Sequence, residues 1–206
     1  MRIPNHIGII PDGNRRWATE KGLNKQDGYN HGVNPGFTLY EMLLEYGVQE
    51  ATFYGFTRDN NKRAKIQRNA FTQACIDAVN LLSGRDANLL VIGNTLSSAF
   101  PKSLLPYANK RVSFGNGSIN LNFLVNYDWE WDLKSAAKNG KIASQEISRM
   151  DLIIRWGGRN RLSGFLPVQS VYSDIFVVDD YWPDFNRSHV EDAISWYQSC
   201  DVTLGG

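Results

Sequence analysis

The feature that most constrains this chain is a repeated alternation of short, β-branched apolar runs with stretches whose apolar residues return at helical spacing. The runs Ile7 to Ile10, Ala51 to Phe56, Leu89 to Ile92, Leu121 to Val125, Leu152 to Ile154 and Ile175 to Val178 read as buried strands. Between them, Phe37, Tyr40, Leu43 and Leu44, then Phe71, Ala74, Ala78, Leu81 and Leu82, mark helices, and a last helix is predicted over about Arg187 to Ser199. Strand and helix in turn predict an α/β fold, a mostly parallel six-stranded sheet covered on both faces by helices. Ligands of such a sheet belong at the carboxyl ends of its strands. The chain of 206 residues reads as a single domain, 1–206, long enough to bury its own core without disulfides or a structural metal.

Composition narrows the partners. With 22 basic against 21 acidic side chains, no bulk field draws the protein to nucleic acid or an anionic membrane, so any anion site is local. Cys75 and Cys200 form no CxxC pair, which favours a reducing, cytoplasmic setting. The N-terminal apolar stretch is cut by Pro11 and Asp12, and no run approaches the ~18 residues of a membrane span, so a soluble protein is expected. His6, His31 and His189 lack the spacing of metal ligands. The polar tail DVTLGG after the last helix is expected to be mobile or to reach a partner subunit.

Three segments carry chemistry. In HIGIIPDGNRRWA, His6 to Ala18, a buried strand runs directly into DGN and a helix-compatible stretch. A helix N-terminus there offers unpaired N–H groups to a diphosphate, Asp12 is suited to hold Mg²⁺ against it, and Arg16 to pair with its oxygens. Taken alone, DGN reads first as an ordinary turn with an Asx cap, but here it does not stand alone. In FTRDNNKRA, Phe56 to Ala64, Arg58, Lys62 and Arg63 follow a strand's carboxyl end, as a site loop or as the charged start of a solvated helix. In DLIIRWGGRNRLSGF, Asp151 to Phe165, Arg155, Arg159, Arg161 and Ser163 surround a Gly157-Gly158 turn. Guanidiniums converging without nearby carboxylates repel one another unless they face an anion, and a phosphate-rich ligand is the simplest. Trp17, Phe56, Phe123, Trp129 and Trp156 lie beside these segments, where π faces stabilise a developing carbocation.

In order and separation, the three segments resemble the cis-prenyltransferase (undecaprenyl diphosphate synthase) family over nearly the whole chain. HIGIIPDGNRRWA resembles HxxxxxDGNxRWA, FTRDNNKR resembles FSxENWxRP, IRWGGRNRLSGF resembles IRTGGExRxSxF, NYDWEWD (126–132) resembles NYGGRxD, and YWPDF (181–185) matches the family's WPDF. The resemblance implies a parallel-sheet homodimer with a hydrophobic tunnel for the growing chain. It implies that Asp12, Gly13, Asn14 and Arg16 bind and ionise an allylic diphosphate with Mg²⁺, and that Asn60 and Arg63 stand near the reacting centre. Arg155, Arg161 and Ser163 would hold the second substrate's diphosphate. Arg15, Trp17, Lys25, Tyr29, Phe56, Thr57 and Arg159 complete the expected substrate-binding set.

Four departures bear on the acceptor. The family glutamate of GGExR is Arg159, the tryptophan of ENWxRP is Asn61, the histidine of GHxxG is Tyr29, and the C-terminal Arg-x-Gly is replaced by Thr203-Leu204-Gly205. A subset of the family that joins two allylic diphosphates into irregular, lavandulyl-type products also loses that glutamate. A short Ala64 to Gly93 stretch and bulky Trp129 and Trp156 are expected to leave a small pocket. The favoured expectation is therefore a head-to-middle, short-chain diphosphate synthase. A regular head-to-tail synthase using isopentenyl diphosphate is the second, and a non-catalytic subunit of a heteromeric synthase, which would be expected to lose Asp12, the third.

Overall fold

The computed structural model describes residues 2–201. Its strands are β1 His6–Ile10, β2 Glu50–Tyr54, β3 Ala87–Ile92, β4 Val112–Phe114, β5 Asn120–Leu124, β6 Leu152–Trp156 and β7 Asp174–Val178. They form one sheet in the order β4-β3-β5-β2-β1-β6-β7, in which every pairing is parallel except β3 with β4. All six expected runs are strands, and the sheet has seven rather than six because Val112–Phe114 adds a short antiparallel edge. Three residues are too few to display a period in sequence.

The helices are α1 Asn14–Glu20, α2 Gly28–His31, α3 Val33–Glu45, α4 Lys65–Leu82, α5 Trp129–Asn139 and α6 Arg187–Ser199. Successive strand side chains point to opposite faces. On one face Ile7, Ile9, Leu89, Val91, Leu121, Phe123, Leu152, Ile154 and Trp156 pack with Leu39, Met42 and Leu43 of α3, Val79 and Leu82 of α4, and Val190 and Ile194 of α6. On the other, Ile10, Leu90, Ile92, Leu124 and Ile153 meet Tyr127, Ile147, Met150, Phe165 and Leu166. That face is closed largely by irregular chain rather than helices, a departure from the expected two helical layers. Gly8 shows how closely the chain lies, since a Cβ there would stand 2.6 Å from both Met150 Sδ and a Phe165 ring carbon.

The amino ends of the strands enclose a polar knot on this second face. His6 Nε2 is 2.8 Å from Thr52 Oγ1, and its Nδ1 is 3.0 Å from Ser148 Oγ, which donates to Glu50 Oε2 at 2.7 Å. Asn122 donates to Glu50 Oε1 at 2.6 Å and accepts from Arg111 at 2.9 Å. Burial holds the His6 pKa below its usual 6.5 against the opposing pull of Glu50 and Asp151. The folded protein thus binds fewer protons there than the unfolded chain, so the stability tied to this group is complete above about pH 6.5 and is lost as pH falls below it. Thermal melts between pH 8 and 5.5 should show Tm falling below about pH 6.5, and His6→Gln should flatten that slope.

Candidate active site

The chemistry-bearing residues gather at the opposite, carboxyl end of the sheet. After β1 the chain turns at Gly13, whose φ of +102° is left-handed and whose hydrogen faces the Tyr181 ring, where a Cβ would meet a ring carbon at 2.5 Å. That turn launches α1 and exposes the Asp12 carboxylate. Asp12 Oδ1 accepts from the Gly13 N–H at 2.6 Å and faces Arg16 Nη2 at 3.8 Å. Asp12 Oδ2 accepts from Arg155 Nη2 at 2.9 Å. Because Ile10 lies opposite Arg155 in the β1–β6 register, the sheet itself sets these partners side by side.

Arg155 is buried, 2 % exposed. Its Nη1 donates to Ser163 Oγ at 3.1 Å and to the Arg161 carbonyl, while its Nε is buried with no partner. Arg16 Nη2 donates to the Gly157 carbonyl at 2.9 Å, and a Cβ on Gly157, φ +87°, would lie 2.6 Å from that same nitrogen. The glycine pair is thus needed for close approach as well as for its turn.

Above these residues opens a polar cleft lined by Asp12, Gly13, Asn14, Arg15, Arg16, Lys25, Arg63, Arg159 and Arg161, with Glu20 and Tyr29. Six cations against two carboxylates give it a positive field although the whole chain is near neutral. An apolar cleft of about 670 Å³, its open mouth included, adjoins it, and Pro11, Asn14, Tyr29 and Phe71 line both. Its far walls are Phe37, Ala74, Cys75, Ala78, Leu81 and Leu82, and its floor holds the stacked rings of Phe53 and Phe123, centroids 5.2 Å apart. Burial pushes the Cys75 thiol up to about 12, so it behaves there as a small apolar group. At the seam, Tyr29 stacks on Phe71 at 4.6 Å and its hydroxyl accepts from Arg63 at 2.7 Å. Burial raises the Tyr29 pKa and lowers that of Arg63.

The structure brings most of the expected residues together and sends some elsewhere. Asp12, Gly13, Asn14, Arg15, Arg16, Lys25, Tyr29, Arg63, Arg159 and Arg161 share the polar cleft. Arg155 and Ser163 lie beneath it, and the expectation that the arginines lack a nearby carboxylate fails, since Asp12 pairs with Arg155. Asn60 is buried, and its side-chain oxygen accepts from the Thr57 N–H at 3.0 Å to cap a short 3₁₀ turn, Arg58–Lys62. Arg58 pairs with Asp128 and Lys62 with Asp59, so of the three cations in that loop Arg63 faces the cleft. Phe56 is packed against Phe71, and Trp17 donates to Asp184 at 2.7 Å.

Trp156 and Trp129 do not narrow the pocket. Trp156 is fully buried against Trp182 and Phe185, and Trp129 is exposed beside Gly164. The aromatic rings that line the apolar cleft include instead the stacked Phe53 and Phe123. Thr203, Leu204 and Gly205 lie outside the described residues. Two contributors were not singled out from sequence. Trp182 N donates to the Asp12 carbonyl at 3.0 Å, and Tyr181 donates to Glu20 at 2.6 Å beneath the Arg16 guanidinium. The YWPDF motif was the available signal, and its service is to brace the DGN turn.

A cationic cleft that continues into an apolar one, at the carboxyl end of a parallel sheet, suits ligands with an anionic head and a hydrocarbon tail. Comparison with known proteins carries this further. Residues 10–205 match the prenyltransferase family model described as "Putative undecaprenyl diphosphate synthase". The chain is 30% identical to the (2E,6E)-farnesyl-diphosphate-specific ditrans,polycis-undecaprenyl-diphosphate synthase of Pasteurella multocida, covering 99% of this chain and 95% of that one. It is 31% identical to the isoprenyl transferase of Heliobacterium mobile (100% and 88% covered) and 30% identical to dehydrodolichyl diphosphate synthase 2 of Arabidopsis thaliana (99% and 74%). Among solved structures, lavandulyl diphosphate synthase from Lavandula x intermedia, in complex with dimethylallyl diphosphate, superposes with a TM-score of 0.80 over 99% of both chains at 21% identity, a likeness of fold. The chain belongs to the undecaprenyl diphosphate synthase family of cis-prenyltransferases and is a transferase of prenyl groups.

Asp12 thus has two duties, facing the cleft and neutralising Arg155. Asp12→Asn and Asp12→Ala both remove the carboxylate charge, and each should lower kcat for prenyl transfer by about a hundredfold or more. Each should also cost about 1–3 kcal/mol of stability by leaving the buried Arg155 guanidinium without its counter-charge. Steady-state rates and melting curves of the two variants measure the two duties.

Proposed function

We propose that this prenyltransferase condenses a short allylic diphosphate, dimethylallyl or geranyl, with a second allylic diphosphate, giving a short product joined head to middle. The observation that carries the reading is the continuity of the two clefts through Pro11, Asn14, Tyr29 and Phe71, with Arg159 on the polar wall. The donor's diphosphate lies against α1 and Arg16, Lys25 and Arg63, and its tail enters the apolar cleft above Phe53 and Phe123. The acceptor's diphosphate lies against Arg159, Arg161 and Ser163.

The residues fit a divalent ion in one manner. Among the described residues no group of three His, Cys, Asp or Glu side chains is arranged to hold a metal, so Asp12 would share Mg²⁺ with the donor's diphosphate oxygens and water, the habit of this ion at phosphate sites. When bound, Mg²⁺ supplies charge neutralisation to the departing diphosphate. Arg16, Lys25 and Arg63 add fixed positive charge where the leaving group gathers negative charge. The donor's C1–O bond breaks, and the allylic cation is flanked by the Tyr29 and Phe71 rings. An acceptor double bond attacks C1, and the resulting tertiary cation loses a proton, so that one diphosphate and one proton leave for each bond made. Arg159 cannot ligate a cation and instead neutralises the acceptor's diphosphate directly. A head-to-middle product has no regular end to extend, in keeping with a cleft floored by two stacked rings.

The second reading is a regular head-to-tail synthase using isopentenyl diphosphate, favoured by the names of the relatives, which include an undecaprenyl-diphosphate synthase and a dehydrodolichyl diphosphate synthase. In either case we take the working form to be a homodimer in the cytoplasm. Exposed apolar side chains at Trp129, Leu133, Val168, Val171 and Tyr172 support a protein interface, and among the described residues no helix is long and apolar enough to cross a membrane.

Mass spectrometry of dephosphorylated products, after incubation with each pairing of C5, C10 and C15 allylic diphosphates and isopentenyl diphosphate, decides between the readings. A branched product from the allylic compound alone is expected. A linear series needing isopentenyl diphosphate overturns the first reading in favour of the second. Kinetics then test the partition of the cleft: Arg159→Ala and Arg161→Ala should raise the acceptor KM roughly ten- to a hundredfold, and Arg16→Ala should act on donor use. Variants that all impair the donor alone would dissolve the two-site assignment.

A further inference from the structure

The ion pair between Asp12 and Arg155 joins the two halves of the site. Asp12 stands on the donor side, after β1; Arg155 ends β6 and bonds the loop that carries Arg161 and Ser163 on the acceptor side. Arg155 is almost wholly buried, whereas the Asp12 side chain is 39% exposed toward the cleft. Both carboxylate oxygens are engaged, Oδ1 by the Gly13 N–H and Oδ2 by the guanidinium. A divalent cation approaching Asp12 meets the fixed positive charge of Arg155 at Oδ2, with Arg16 Nη2 3.8 Å from the other oxygen. Asp12 is therefore a ligand whose charge is already answered by a cation of the protein itself.

We propose that Arg155 is a positioning residue that gates Asp12, so that the divalent ion enters with a diphosphate and not ahead of it. This rests on the assignment of Asp12 as a metal-sharing residue in the reading above. One feature ties the guanidinium to the acceptor side: its Nη1 already bonds the 161–163 loop. A diphosphate settling against Arg161 and Ser163 supplies negative charge on that side, which loosens the hold on Oδ2 and frees it for the metal. Acceptor arrival and donor activation are then linked through one side chain, and each ligand must strengthen the other's binding by the same factor.

Mn²⁺ titration followed by electron paramagnetic resonance tests this on the intact chain without turnover. The parent alone should hold no Mn²⁺ below about millimolar concentration, the weak end of carboxylate–cation binding. With methylenediphosphonate as the anion it should hold one, and Asp12→Asn should hold none beyond the free Mn²⁺–anion complex. Arg155→Gln should bind Mn²⁺ without the anion about tenfold or more tightly than the parent does. Arg159→Gln, which removes a cleft charge that does not touch Asp12, should change Mn²⁺ binding by no more than about two- to threefold, the through-space effect of one screened charge. Melting curves report whether each variant folds. Tight Mn²⁺ binding by the parent alone, lost in Asp12→Asn, overturns the proposal whatever the Arg155 variant does, and so does an Arg155→Gln protein that folds but binds Mn²⁺ no better than the parent. Absence of prenyl transfer in the parent would instead strike the functional reading, which the metal titration does not depend on.

Discussion

The parallel register of β1 against β6 is the constraint on which the site depends. It sets Ile10 opposite Arg155, and two residues later the chain delivers Asp12 within hydrogen-bonding reach of that guanidinium, across 143 positions of sequence. A one-residue slip would turn Arg155 to the other face of the sheet, among Ile154, Trp156 and the helices. The rest of the polar end is fastened to this pair. Trp182 bonds the Asp12 carbonyl, Arg16 bonds the Gly157 carbonyl, and Tyr54 donates to the Ser163 carbonyl at 2.8 Å. Three loops from distant parts of the chain are thereby locked to one another.

Much of the scaffold was legible because strands buried on both faces read as uninterrupted apolar runs, and helices covering one face show their stripe. Thus six strands and the α6 helix at Arg187–Ser199 were visible in sequence. The irregular cover of the second face was not, because its buried members Ile147, Met150, Phe165 and Leu166 follow no period. The site motifs were legible as a set through local signals, a strand running into DGN and a glycine pair among arginines. Partners were not. The pairing of Arg155 with Asp12, the capping role of Asn60 and the burial of Trp156 against Trp182 are consequences of tertiary placement, and residue type alone gave Trp156 and Trp129 a place in the pocket that neither takes.

The two ends of the sheet handle charge in different ways. At the amino end, His6, Glu50, Asn122 and Arg111 satisfy one another and are withdrawn from solvent. At the carboxyl end, the cations lining the cleft outnumber the carboxylates and face an open space. Mutual repulsion there costs stability in the free protein and is relieved by an anionic ligand, so the excess charge that marks the site also gives it affinity. The Arg155 ion pair is the exception that keeps a buried charge neutralised.

The seam shared by the two clefts has a consequence for turnover. Tyr29 and Phe71 form a single layer between charge and hydrocarbon, and under the proposed reaction the product is itself a diphosphate ester with a longer tail than the donor. It fits the same head site and the same apolar trough that the donor vacates. Under that reaction the product would therefore compete with the donor for the same head site and trough as it accumulates.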